Sequence, residues 1–203
     1  KGGAGMYLAL TGARLKAADL LHLGIATHAA ASAQVPALLQ ALEGASDAQD
    51  VARILEAGQS AGMIDIADPA PITAASAVID AAFTATTLAG VFERLRADGS
   101  DWAQKQLSIL ASKSPLSLAL TFRQLQEGAK HTSFADNMAM EYRMVNRMAK
   151  SHDFLEGVRA ILVDKDQAPV WQPATLDAVS DAEVDAFFAP LGEGAELMDR
   201  LPS

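Results

Sequence analysis

The chain has 203 residues, half of them hydrophobic, a formal net charge of −9 and no cysteine. That length suits one domain, or one domain plus an extension, and the lack of cysteine excludes disulfides, thiolate catalysis and Cys-ligated zinc. The 16 Lys and Arg residues are scattered singly or in pairs, so they form no patch able to displace counterions from a nucleic-acid backbone; a phosphorylated small molecule would need a local basic pocket.

Aromatic residues are scarce at 5% and alanine is heavily used, which favours closely packed helices. The opening Lys1-Gly2-Gly3 has no basic stretch before an apolar core, so it is not a secretory signal; it reads as a cut edge inside a domain. Gly2-Gly3-Ala4-Gly5 lacks both the G-x-G-x-x-G spacing and a preceding strand, and reads as a turn feeding a helix. Ala4 to Leu10 is expected as a short buried helix ended by Thr11-Gly12, and Ala17 to Leu23 as a second, with Gly24 as its left-handed terminator. Ile25 to Ala29 is the one plausible strand. Leu20 to Leu42 carries no Asp, Glu, Lys or Arg, but His22, Gly24, His28, Ser32, Gln34 and Pro36 interrupt it. A spanning helix needs about 20 predominantly apolar residues, so no membrane partner is expected.

Pro36 opens a run of helices, with Asp47 capping the next and Val51, Ile54 and Leu55 on one face. Gly58 to Pro71 reads as a loop and Thr73 to Phe83 as a helix. Leu88, Val91, Phe92 and Leu95 follow the i, i+3, i+4, i+7 pattern until Asp98-Gly99 stops it. Ser100 or Asp101 caps a helix burying Trp102, Ile109 and Leu110. Ser114-Pro115 is a start signal, with Leu118, Phe122 and Leu125 as the apolar face and Gly128 as the end. Phe134, Met138, Tyr142, Val145 and Ala149 define the longest helix. Phe154 to Val163 follows, capped by Ser151 or Asp153, then an irregular segment from Gln167 to Pro173. Ser180-Asp181-Ala182-Glu183 is a capping-box pattern, and the tail from Gly192 is expected to fray.

Ser151-His152-Asp153 is not a triad on spacing grounds, since adjacent residues point in different directions and a triad is defined in space. His22, His28, His131 and His152 form no H-E-x-x-H or comparable ligand pair. Arg123, Glu127 and Lys130, and likewise Glu141, Arg143 and Arg147, read as surface ion pairs. Met138, Met140, Met144 and Met148 read as packing residues.

Several runs carry a resemblance. Leu10-Thr11-Gly12-Ala13-Arg14-Leu15-Lys16-Ala17-Ala18-Asp19, then Gly24-Ile25-Ala26-Thr27-His28, is similar to the crotonase (enoyl-CoA hydratase) superfamily just after its active-site helix. Lys113-Ser114-Pro115-Leu116-Ser117-Leu118 with Thr121 to Leu125, Met140-Glu141-Tyr142-Arg143, and Asp153 to Ala160 resemble the 3-hydroxyisobutyryl-CoA hydrolase branch. Asp164-Lys165-Asp166-Gln167-Ala168-Pro169-Val170-Trp171 is the sharpest match, where general hydratases usually have a Lys/Arg-rich exit. The likeness covers nearly the whole chain, and is least familiar from about Asp47 to Ile79.

The resemblance implies a mostly α chain: the end of a crotonase-type ββα spiral in residues 1–30 and a C-terminal helical region in 31–203, the whole parent being α/β. It implies hydrolysis of 3-hydroxyisobutyryl-CoA in valine breakdown, with the coenzyme A thioester as substrate and no cofactor required. The family uses two backbone N–H groups as an oxyanion hole, plus a glutamate and an aspartate. Those carboxylates lie in a P-E-x-x-I-G-x-x-P-D segment upstream of the region matching Lys1, so no catalytic residue is carried over here. Phe154 and Lys165 are the candidates for the CoA adenine end, although Ile161 falls near where the hydratase Phe would stand. The upstream segment of the same protein is an expected partner, and a homo-oligomer stays open. The expected location is the bacterial cytoplasm, or the mitochondrial matrix if the source is eukaryotic. An enoyl-CoA hydratase or isomerase, or a noncatalytic helical interaction module, are the alternatives.

Overall fold

A computed structural model describes residues 2–60 and 70–197. Its helices in chain order are α1 (Ala4–Thr11), α2 (Ala17–Leu23), α3 (Val35–Glu43), α4 (Ala48–Ser60), α5 (Ser76–Phe83), α6 (Leu88–Asp98), α7 (Asp101–Ala111), α8 (Pro115–Gly128), α9 (Phe134–Met148), α10 (His152–Val158) and α11 (Asp181–Phe188). A 3-10 turn, Pro71–Ala75, leads into α5, and a π turn, Arg159–Val163, continues α10. The chain is mostly helical, and no strand occurs among the described residues.

Hydroxyl caps set many of the boundaries. Ser100, Ser114, Ser151 and Ser180 each accept a backbone N–H from the residue three positions on, as the sequence implies. Thr87 and Ser133 do the same work for α6 and α9. Gly12, Gly24 and Gly99 close α1, α2 and α6 at φ 67°, 72° and 67°, a region that costs glycine little.

The strand expected over Ile25 to Ala29 does not form. The N–H groups of Ile25 and Ala26 turn back onto Leu20 O at 2.9 and 3.1 Å, closing α2, and Ile25 is 60% exposed. A strand needs a ladder partner, and these donors are already used. The expected loop from Gly58 is shorter than its sequence suggests: α4 runs through Ser60 and Pro71 starts the 3-10 turn. Gly62 and Pro69 lie outside the described residues.

The main core is built from α1, α5, α6, α7 and α8, with Val91, Leu95, Ala103 and Leu110 wholly buried. Tyr7 of α1 meets Phe83 edge to face at 5.3 Å and Trp102 at 5.5 Å. A second cluster joins Leu116 and Leu120 of α8 to Val184 and Phe187 of α11, with Met144 and Met148 of α9 against it. Helix α8 therefore serves both cores: Leu118 and Phe122 face one, while Leu116 and Leu120, roughly 200° around the helix, face the other. The expected face of Leu118, Phe122 and Leu125 was too narrow, and Leu125 itself is 38% exposed. Helix α9 is the longest of the described helices, as expected, and Met138 and Tyr142 of that spacing are half-buried. Phe134 and Val145 are exposed and Met140 is the buried residue; Met144 and Met148 pack against the cluster shared with α11, while Met140 Cε lies 3.7 Å from the Cβ position of Gly128 on α8.

Two carboxylates pin the N-terminal helices. Buried Asp19 accepts from Lys16 N at 3.1 Å and Ile72 N at 2.9 Å, tying α2 to the 3-10 turn. Asp80 of α5 accepts from Gly3 N at 2.8 Å. A Cβ on Gly3 would stand 2.5 Å from Ile79 O and 3.0 Å from Phe83 Cβ, whereas one on Gly5 meets nothing within 4 Å. Gly3→Ala is therefore expected to destabilise the chain by about 1–3 kcal/mol. Gly5→Ala should be neutral or stabilising by up to about 1 kcal/mol. Urea midpoints of the two variants check the contrast, and equal midpoints would contradict the α1–α5 packing.

Candidate functional site

A groove of about 930 Å³ runs between α8, α9 and α10 with its π turn. Its apolar lining includes Met144, Phe154, Ile161, Trp171 and Phe187, and its polar members include Lys113 and Ser114. Such a lining, mostly apolar with few polar groups, is the usual chemistry of a small-molecule cleft.

The walls are held by hydrogen bonds between distant segments. Ser114 caps α8 through Ser117 N at 3.0 Å and donates its hydroxyl proton to Asp153 Oδ2. Asp153, 3% exposed, also accepts from Gln172 N at 2.8 Å and lies 3.0 Å from His152 Nδ1. One buried carboxylate thus joins the start of α8, the start of α10 and the segment after Trp171. Trp171 Nε1 donates to Ser112 O at 3.1 Å. Its ring lies over Gly157, where a Cβ would meet ring carbons at 3.5 and 3.7 Å. Ser151, His152 and Asp153 form no triad: the Ser151 hydroxyl caps α10 by accepting Phe154 N, and Asp153 contacts His152 at Nδ1 and Ser114 at its hydroxyl, with no serine bonded to the histidine.

The segment that closes the groove is organised around Arg159. Its guanidinium donates to both Glu156 oxygens at 2.8 Å, to Asp164 at 2.7 Å and to Asp166 at 2.6 Å. Glu156 in turn accepts from Val170 N at 2.7 Å, and Asp166 from Ala168 N at 2.9 Å. These contacts fold the chain after the π turn back beside α10. Lys165 and Gln167 sit there at φ 58° and 56°, and Gln167 N bonds to Ala160 O at 3.1 Å. The Arg159 hydrogen bonds, then the Val170 N–H, lower the Glu156 carboxyl from 4.5 to about 2. The same guanidinium and the Ala168 N–H hold Asp166 below its usual value.

A depressed carboxyl means that the unfolded chain binds the extra proton first. The clasp contributes fully above about pH 4.5 and is lost as pH falls towards 2. We expect the Val170 amide and the Trp171 indole signals to hold steady through pH 4.5 and to move together only as pH approaches 2. A midpoint near neutral pH in an NMR titration would contradict the clasp.

Phe154 lines the groove and is 46% exposed. Lys165 is exposed on the loop beyond the π turn and is not among the groove-lining residues. Ile161 lines the groove with Phe154. Lys113 also lines it, and the sequence reading did not mark it as a site residue; no local pattern distinguishes a lysine between two serines. The ion pairs expected on α8 are present, Arg123–Glu127 at 2.9 Å and Lys130–Glu127 at 2.8 Å. On α9 the charges reach further: Arg143 pairs with Glu196, and Arg147 donates to Phe187 O and Pro190 O. No three His, Asp or Glu side chains lie together as a metal site among the described residues. No described helix is long and apolar enough to cross a membrane.

The family model described as Enoyl-CoA hydratase/isomerase matches residues 1–188. Proteins named 3-hydroxyisobutyryl-CoA hydrolase, mitochondrial, are similar. The one from Danio rerio is 42% identical over 195 residues, covering 95% of this chain and 51% of that protein. The one from Gallus gallus is 43% identical over 194 residues, covering 94% and 50%. The one from Homo sapiens is 39% identical over 195 residues, covering 95% and 50%. The chain thus spans about half the length of these relatives. Among solved structures, one titled as a carnitinyl-CoA dehydratase from Mycobacterium thermoresistibile superimposes with TM-score 0.79 at 32% identity, covering 95% of this chain and 53% of that one. One titled as an enoyl-CoA hydratase from Rhodobacter sphaeroides 2.4.1 gives 0.77 at 34% identity, covering 97% and 54%.

Proposed function

Because the chain belongs to the enoyl-CoA hydratase/isomerase family, we propose that it is the C-terminal half of a CoA-thioester hydrolase acting on 3-hydroxyisobutyryl-CoA. The observation that carries this reading is the 39–43% identity to hydrolases of that name over about 95% of the chain. In this proposal the carboxylates and oxyanion-hole donors come from the other half of the fold, and no catalytic residue is assigned among the 203. The chain's own part is scaffolding: α1 supports the active site from behind, and the groove beside Phe154 walls the CoA pocket. Phe154 and Lys165 are the proposed contacts at the adenine end. The hydrolase relatives are named as mitochondrial, which favours the mitochondrial matrix and lends no support to a bacterial cytoplasmic location.

The similarity to a carnitinyl-CoA dehydratase and an enoyl-CoA hydratase of solved structure favours a second reading, hydration or dehydration of an acyl-CoA. The protein joined to its upstream half decides between them. Release of free CoA thiol from 3-hydroxyisobutyryl-CoA, with no water addition to a 2-enoyl-CoA, is the expected result. The reverse pattern would replace hydrolase with hydratase.

A further inference from the structure

We infer that Lys113 is the anion anchor of the groove, its ammonium holding a phosphate of coenzyme A while the apolar floor receives the uncharged arm. The inference rests on the reading of this groove as a wall of the CoA pocket. An acidic chain can hold a phosphorylated ligand only where a cation is locally unopposed, and Lys113 is the one Lys or Arg among the groove-lining residues. It forms no ion pair among the described residues.

The backbone beside it is fixed on both sides. Ser112, the residue before, accepts the Trp171 indole N–H, and Ser114, the residue after, binds the carboxylate next to Phe154. Two hydrogen bonds therefore tie the residues on either side of Lys113 to Trp171 and Asp153. The groove's two carboxylates do not compete strongly for its ammonium. Asp153 is buried and already meets Ser114, Gln172 and His152. Glu141 is engaged by Gln124 at 3.1 Å, and Gln124 stands nine residues beyond Pro115, the first residue of α8, roughly 14 Å down the helix axis.

The surroundings of Lys165 differ in sign. Asp164, Asp166 and Glu156 share the single cation Arg159, so three negative charges meet one positive and the loop keeps a net charge of −2 before Lys165 is added. A phosphate is repelled there and attracted at Lys113.

Calorimetric titration of the protein with coenzyme A, and separately with uncharged pantetheine, tests this. Lys113→Gln should weaken CoA binding about tenfold, the loss of one charge-assisted contact, and should leave pantetheine binding unchanged. Lys113→Arg should restore most of the CoA affinity, and Lys165→Gln should lose less than Lys113→Gln. Equal CoA affinity in the unaltered protein and Lys113→Gln overturns the anchor and leaves the pocket reading standing. An equal loss for pantetheine also overturns it, because the lysine would then act through packing. Failure of the unaltered protein to bind CoA at all overturns the pocket reading and the anchor with it.

Discussion

Asp153→Ala is expected to lower stability by about 3 kcal/mol, because it strands a buried serine hydroxyl and the Gln172 N–H at once, each worth about 1–3 kcal/mol when left unpaired. The carboxylate is 3% exposed and is the shared acceptor for α8, α10 and the segment beyond Trp171. Its loss should free Phe154 and Trp171 together, so indole fluorescence should report a local opening below the global transition. Ser114→Ala removes one of the partners of Asp153 and costs the α8 cap as well, about 1 kcal/mol. The double variant should be less than additive, since both changes break one bond. Full additivity in a double-mutant cycle would show that the Ser114–Asp153 contact carries no energy.

Leu95→Ala should cost as much or more, about 2–5 kcal/mol, but with a different signature. Leu95 is wholly buried in the core that α1, α5, α6, α7 and α8 share. The cavity it leaves is remote from the groove contacts, so the melting transition should fall as a whole. Indole fluorescence and helical circular dichroism should then lose signal at the same temperature. A selective loss of the Trp171 signal in Leu95→Ala would contradict the separation of core and groove.

Helix limits were legible because they are written in single residues. A serine before Pro115 or Asp181, and a glycine after Thr11, Leu23 or Asp98, act through their own backbone geometry. Which face a helix buries was less legible. Helix α8 has apolar residues on two sides, and only the positions of α1 and α11 reveal that both are used. Ile25 to Ala29 has strand composition, yet its donors are taken by the end of α2, a local competition that propensity does not register. The groove was illegible for a further reason. Its restraints join residues 39 and 59 positions apart, Ser114 to Asp153 and Ser112 to Trp171, and no spacing rule connects them. The sequence from Asp153 to Trp171 shows a capped helix with an irregular exit but not the clasp, in which Arg159 gathers Glu156, Asp164 and Asp166 while Trp171 lies over Gly157.

Thioester cleavage by the 203-residue chain, compared with the same chain joined to the upstream half proposed for it, tests most directly whether these residues are scaffold rather than catalyst. With 3-hydroxyisobutyryl-CoA as substrate, we predict thiol release only from the joined protein and none above background from the chain alone. Turnover by the isolated chain would contradict the account, because it would place a nucleophile or base and its oxyanion donors among these residues.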